Sequence, residues 1–232
     1  MDISLNYHAT GHGEALVLLH GNGEDYTYFS RQVEPFSTHY RVIAVDTRGH
    51  GRSPRGTAPF TLEQFAEDLK QLLDQLDIQR CHLLGFSDGG NIALLFALKY
   101  PHYVNRLIIN GANLHPSGMK WQIHLPIVLQ WAAFRLLCAV NPNNQKWVQR
   151  YELLVLMATQ PHIDCAHLAE IAVPTLVVAG TNDMIRTAHT RAIAAAIPGS
   201  RVELLPGDHF VARRNWPEFN QLVQDFLADT KR

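Results

Sequence analysis

The chain is 232 residues long, room for one domain with a substantial core. Apolar residues make up 47% and charged residues 18%, a globular composition that excludes a disordered chain. The formal net charge of -1, with no Lys/Arg run, lacks the basic field on which nucleic-acid binding depends.

From the N-terminus, "MDISLNYHATGHGEALVLL" opens on an acid and has no basic segment before its apolar run, unlike a signal peptide. Short apolar runs predict strands at 15–20, 41–46, 81–86, 106–110, 175–180 and 201–206. They lack polar alternation, as expected of strands buried on both faces of a parallel sheet. Helical patterns lie between them. Over 61–76, Leu62, Phe65, Leu69, Leu72, Leu73 and Leu76 share one face, and Thr61 with Gln64 makes a candidate capping box. The run 91–100 is apolar nearly all round and predicts a deeply buried helix. Two more follow over 186–197 and 216–230, the last with Pro217 in its first turn, where the missing N–H is harmless. Strand and helix alternate, which predicts an α/β fold with right-handed crossovers, one domain over 1–232.

The interval 113–161 breaks that rhythm. It has apolar helical runs with Trp121, Trp131 and Trp147 but no strand pattern, and it predicts a small helical cap over the edge where α/β sheets bind ligands. Trp121 or Trp131 would be available there to line an acyl pocket. Its longest apolar segment, 125–140, is interrupted by Gln130 and Arg135, too short and too polar to span a bilayer of about 30 Å. Cys81, Cys138 and Cys165 cannot all pair, and small buried thiols suit a reducing cytoplasm. Thirteen histidines include "HIDCAH" at 162–167, whose spacing matches no zinc pattern, so neither metal nor cofactor is expected. His20, His50 and Arg48 are expected to hold loops.

The chemistry is concentrated in "GFSDG", Gly85 to Gly89, at a strand exit and helix entry. A chain reversing within one residue places Ser87 at the tip of a strained turn, and glycines on either side remove the Cβ atoms that would collide. A serine hydroxyl needs a base, and the base needs an orienting carboxylate, in the chain order serine, acid, histidine. Asp183 follows the strand at 175–180 and His209 the strand at 201–206, both on the sheet edge that carries Ser87. Asp208 is the close rival acid. Oxyanion donors are expected from the backbone N–H groups of Asp88 and, in "HGNG", Asn22. The Asp88 carboxylate either serves the helix dipole or receives a cationic group, such as the amine of an amino-acid ester.

"HGNG" (20–23), "DTRGHGRS" (46–53), "GFSDGG" (85–90), "GTND" (180–183) and "GDH" (207–209) together resemble the α/β-hydrolase superfamily from end to end, the cap excepted. The Ser-Asp-Gly-Gly elbow is similar to small bacterial-type serine esterases, including the valacyclovir-hydrolase-like group. The resemblance implies a triad of Ser87, Asp183 and His209; Asn22 and Asp88 remain the candidate substrate-binding residues. Only "DISLNYHATG" precedes the strand at 15–20, so the first strands of larger members are shortened or missing here. The expected activity is hydrolysis of small carboxylic esters through an acyl-enzyme, with a small-molecule ester as partner and no nucleic acid or membrane. C–C bond hydrolysis, thioester hydrolysis and peracid formation can use the same triad. A small-molecule receptor is the non-enzymatic alternative.

Overall fold

The computed structural model describes residues 2–229. Strands β1 (Tyr7–Thr10), β2 (Ala15–Leu19), β3 (Arg41–Val45), β4 (Cys81–Phe86), β5 (Val104–Asn110), β6 (Thr175–Gly180) and β7 (Arg201–Leu205) form one sheet. Their order is β1-β3-β2-β4-β5-β6-β7, parallel throughout except for β1, which runs antiparallel to β3. This is the α/β-hydrolase fold. The α-helices among the described residues are α1 (Ser30–Ser37), α2 (Leu62–Gln75), α3 (Asp88–Lys99), α4 (Trp121–Val140), α5 (Gln145–Thr159), α6 (Thr187–Ala196), α7 (Val211–Arg214) and α8 (Trp216–Ala228).

Strand periodicity divides the core. Leu16 and Leu18 of β2 face a cluster with Phe36 of α1 and Phe219 and Phe226 of α8. Val17 and Leu19 face the opposite cluster, with Leu69 and Leu73 of α2, Phe96 of α3 and Ile193 of α6. Both faces of the central strands are therefore covered, and β2, β4 and β6 are buried along their whole length.

Three sequence expectations change. The segment Tyr7–Thr10 has no apolar run, yet it forms β1, because pairing at the edge with β3 (Tyr7 opposite Val45) needs only backbone donors and acceptors. β7 is half-buried rather than buried, since it closes the other edge. Half of the capping box forms: Thr61 Oγ1 accepts from Gln64 N at 3.2 Å, but the Gln64 amide turns away to Asp68.

The loop residues behave as structural anchors. Arg48 is fully buried, donating to the carboxylates of Asp68 and Asp2 and to the Arg55 carbonyl at 3.0 Å. His20 accepts from Thr47 N at 3.0 Å through Nε2 and donates through Nδ1 to the Gly21 carbonyl at 2.7 Å. Burial pushes its imidazole down to about 4, so it is neutral.

Between β5 and β6 lie α4 and α5. The apolar run starts four residues before the predicted segment, at Trp121, and gives a 20-residue helix long and apolar enough to cross a membrane by length and composition alone. It packs along α5, and none of its residues is buried. Trp121, with 69% of its surface exposed, faces solvent and lines no acyl pocket. α5 is fastened to the body: Arg55 grips Glu152 (shortest contact 2.7 Å), and Asn22 Nδ2 donates to the Leu153 carbonyl at 3.2 Å.

Candidate active site

Strand β4 ends at Phe86 and helix α3 begins at Asp88, leaving Ser87 alone to turn the chain. Its backbone sits at φ 54°, ψ -119°, a region that non-glycine residues avoid, and is pinned by Ser87 N donating to the Asn110 carbonyl at 2.8 Å. The turn is possible because its neighbours carry no side chain. A Cβ on Gly85 would lie 2.2 Å from the Gly89 carbonyl oxygen.

The hydroxyl so displayed meets the histidine. His209 Nε2 lies 3.0 Å from Ser87 Oγ, and its Nδ1 lies 2.7 Å from Asp183 Oδ1. Asp183 is held in turn by Ile185 N (2.9 Å) and Gly180 N (3.3 Å), and its side chain is 1% exposed. The rival Asp208 turns outward, accepting from Phe210 N and pairing with Arg214. Adjacent side chains leave the strand end in different directions, and the carboxylate that reaches the ring comes from the loop after β6. Phe86 backs the imidazole, with ring centres 4.9 Å apart. Gly111, at φ 66°, makes room for the ring: a Cβ there would lie 2.7 Å from His209 Cε1.

The loop after β2 supplies the facing wall. Glu24 N donates to the Gly21 carbonyl at 3.3 Å, closing a turn with Asn22 and Gly23 (φ 72°) at its corner. Among the described residues, the backbone N–H groups of Asn22 and Asp88 donate to no protein acceptor. The Asn22 amide instead donates through Nδ2 to Asp88 Oδ2 at 3.0 Å, and Asn91 Nδ2 to Asp88 Oδ1 at 3.3 Å. Asp88 is 8% exposed, and burial raises its carboxyl above the ordinary range.

Sequence reasoning missed three residues here: Gly111, Asn91 and Glu24. A lone amide in an otherwise apolar helix was the available signal for Asn91. Glu24 accepts from Gly21 N at 3.3 Å, and burial pushes its carboxyl from 4.5 up to about 7, with Arg213 pulling the other way. The folded protein therefore holds this proton more tightly than the unfolded chain does. Its contribution to stability is full below about 4.5 and is lost as pH rises through about 7. Glu24→Gln should flatten that loss. Because Glu24 is only partly buried, the difference is of order 1 kcal/mol after solvent screening. Urea unfolding of both proteins at about pH 5 and about pH 8 measures it, and an equal pH dependence in the two refutes the assignment.

The family described as alpha/beta hydrolase fold matches residues 14–156. Serine hydrolase BPHL of Mus musculus is 32% identical over 97% of this chain and 83% of its own length. A 2-hydroxy-6-oxononadienedioate/2-hydroxy-6-oxononatrienedioate hydrolase 2 of Pseudomonas putida is 30% identical over 98% of this chain and 92% of its own. Among solved structures, the enol-lactonase of Burkholderia xenovorans LB400 superposes with a TM-score of 0.82 at 25% identity, covering 98% of this chain and 97% of that one. Extent of match, sheet order and elbow geometry agree: the chain belongs to the alpha/beta hydrolase family and is a hydrolase.

Proposed function

We propose that the protein hydrolyses small carboxylic esters, with Ser87 as nucleophile, His209 as base and Asp183 as its orienting acid. The observation that carries this reading is the relay of 3.0 Å and 2.7 Å from Ser87 Oγ through His209 to Asp183. His209 takes the Ser87 proton as Oγ bonds to the substrate carbonyl carbon. The carbonyl oxygen becomes an oxyanion held by the Asn22 and Asp88 N–H groups. Collapse expels the alcohol, which leaves with the proton from His209. Water, deprotonated by the same histidine, then attacks the acyl-enzyme, and the acid and free Ser87 are released. Residues 113–161 act in this reading as a cap, α5 standing beside the oxyanion loop through Asn22. The three unpaired cysteines favour the cytoplasm as its compartment.

The substrate carries a cationic group. Asp88 is a buried carboxylate beside the nucleophile, met by two amides and, among the described residues, by no ion pair. An uncompensated buried carboxylate gains most from a ligand cation, such as the ammonium of an amino-acid ester. A panel of chromogenic neutral esters and amino-acyl esters tests both statements. The wild type should turn over both classes, amino-acyl esters faster. In Asp88→Asn, the ratio of kcat/KM for amino-acyl over neutral esters should fall by about tenfold or more. An equal fall in both classes refutes the cation reading. A wild type inert toward every ester that cleaves the C–C bond of a dienedioate, the reaction class suggested by the P. putida relative, replaces the ester assignment.

A further inference from the structure

Nine large apolar side chains among the described residues are exposed, and seven of them belong to α4. Five form a stripe. At about 100° per residue, Trp121, Leu125, Leu129, Leu136 and Val140 fall within an arc of about 100° along the whole helix. Exposure reaches 69% at Trp121 and 84% at Val140. The helix spans about 30 Å, at about 1.5 Å per residue. A contiguous apolar face of this length on a folded protein marks a surface that something covers.

Charge identifies the occupant. Residues 113–161 hold four cations, Lys120, Arg135, Lys146 and Arg150, against one carboxylate, Glu152. That is a local net of +3 (4 − 1), whereas the rest of the chain carries -4 to reach the total of -1. Glu152 is already held by Arg55, from outside the insertion. Among the described residues, none of the four cations enters an ion pair. Lys120 and Arg135 stand at the start of α4 and on it, whereas Lys146 and Arg150 belong to α5, where Arg150 Nη2 donates to Gln130 Oε1 at 2.9 Å. A second copy seated on the stripe would bring two segments of net positive charge together. An anionic lipid surface answers them directly.

We propose that α4 docks the protein on an anionic phospholipid leaflet, its stripe at the headgroup–acyl boundary and its basic residues at the phosphates. The helix lies flat there and does not span, because its other side packs on α5, which Arg55 and Asn22 fasten to the body. Trp121 at one end has the amphipathic ring favoured at that depth. Long Arg and Lys stems let apolar and charged groups serve one surface. This departs from the sequence expectation of no membrane partner, which was argued from the lack of a spanning segment; an interrupted apolar run is no obstacle to interfacial docking. The proposal does not depend on the Ser87 chemistry.

Flotation of the full chain with vesicles of phosphatidylcholine, with or without about one third phosphatidylserine, tests it. The protein should float with the anionic vesicles and shift Trp emission to the blue, and bind neutral vesicles about tenfold more weakly. Leu125→Glu with Leu129→Glu should weaken anionic binding by about tenfold or more while far-UV circular dichroism is unchanged. Should that pair misfold, Arg135→Glu with Lys146→Glu carries the test and should abolish the preference for anionic lipid. Failure to float with either vesicle overturns the proposal, as does equal binding to both. A dimer in size exclusion that dissociates in the Leu125/Leu129 variant assigns the stripe to a second copy instead.

Discussion

Ser87→Ala is expected to lower kcat for a short-chain aryl ester by about ten-thousandfold or more while leaving the protein folded. Among the described residues the Ser87 hydroxyl is bonded only to His209, whereas the unusual backbone is held by the N–H bond to Asn110 and by the flanking glycines. Removing Oγ therefore deletes the attacking atom without releasing the turn. Asp183→Ala should cost about ten- to a hundredfold less, because this side chain orients the base and never bonds to substrate. Steady-state rates, with thermal unfolding as the check on folding, decide the matter. An unchanged rate in Ser87→Ala removes the triad assignment.

The second large effect is on folding. Gly89→Ala should cost about 4 kcal/mol or more, seen as loss of soluble protein or a collapsed urea midpoint. A Cβ on Gly89 would lie 2.0 Å from the Leu19 carbonyl oxygen and 2.6 Å from that of His20. Both are backbone atoms at the end of β2, so no side chain can swing aside, and the α3 start would have to lift off the sheet. Doing so would move Ser87 and the Asp88 N–H together. Gly90→Ala is the graded comparison: its nearest neighbour is the Ala112 Cβ at 3.0 Å, and a shift of a few tenths of an ångström relieves it. If Gly89→Ala proves no more destabilising than Gly90→Ala, close packing of α3 on β2 is not what the glycine serves.

How much of this could be read beforehand follows from how locally each feature is encoded. The interior strands were legible because double burial leaves continuous apolar runs, and β1 was not, because an edge strand needs no such run. The relay was legible as an order of residues: in a parallel sheet every strand exits toward the same edge, so Ser87, Asp183 and His209 had to arrive together. That Asp183 and not Asp208 reaches the ring was already favoured there, and the geometry shows how: Arg214 and Phe210 N draw the rival away.

By itself, then, the sequence determined the six parallel strands, the elbow and the three residues of the relay, since each follows from local periodicity or from chain position at a strand end. Only the tertiary structure decided the rest. Glu24 and Asp88 owe their raised carboxyl pKa values to burial produced by segments distant in the chain. The orientation of α4 has the same origin. An all-round apolar helix carries no periodic signal for its outward face, and that face was set when its other side packed against α5.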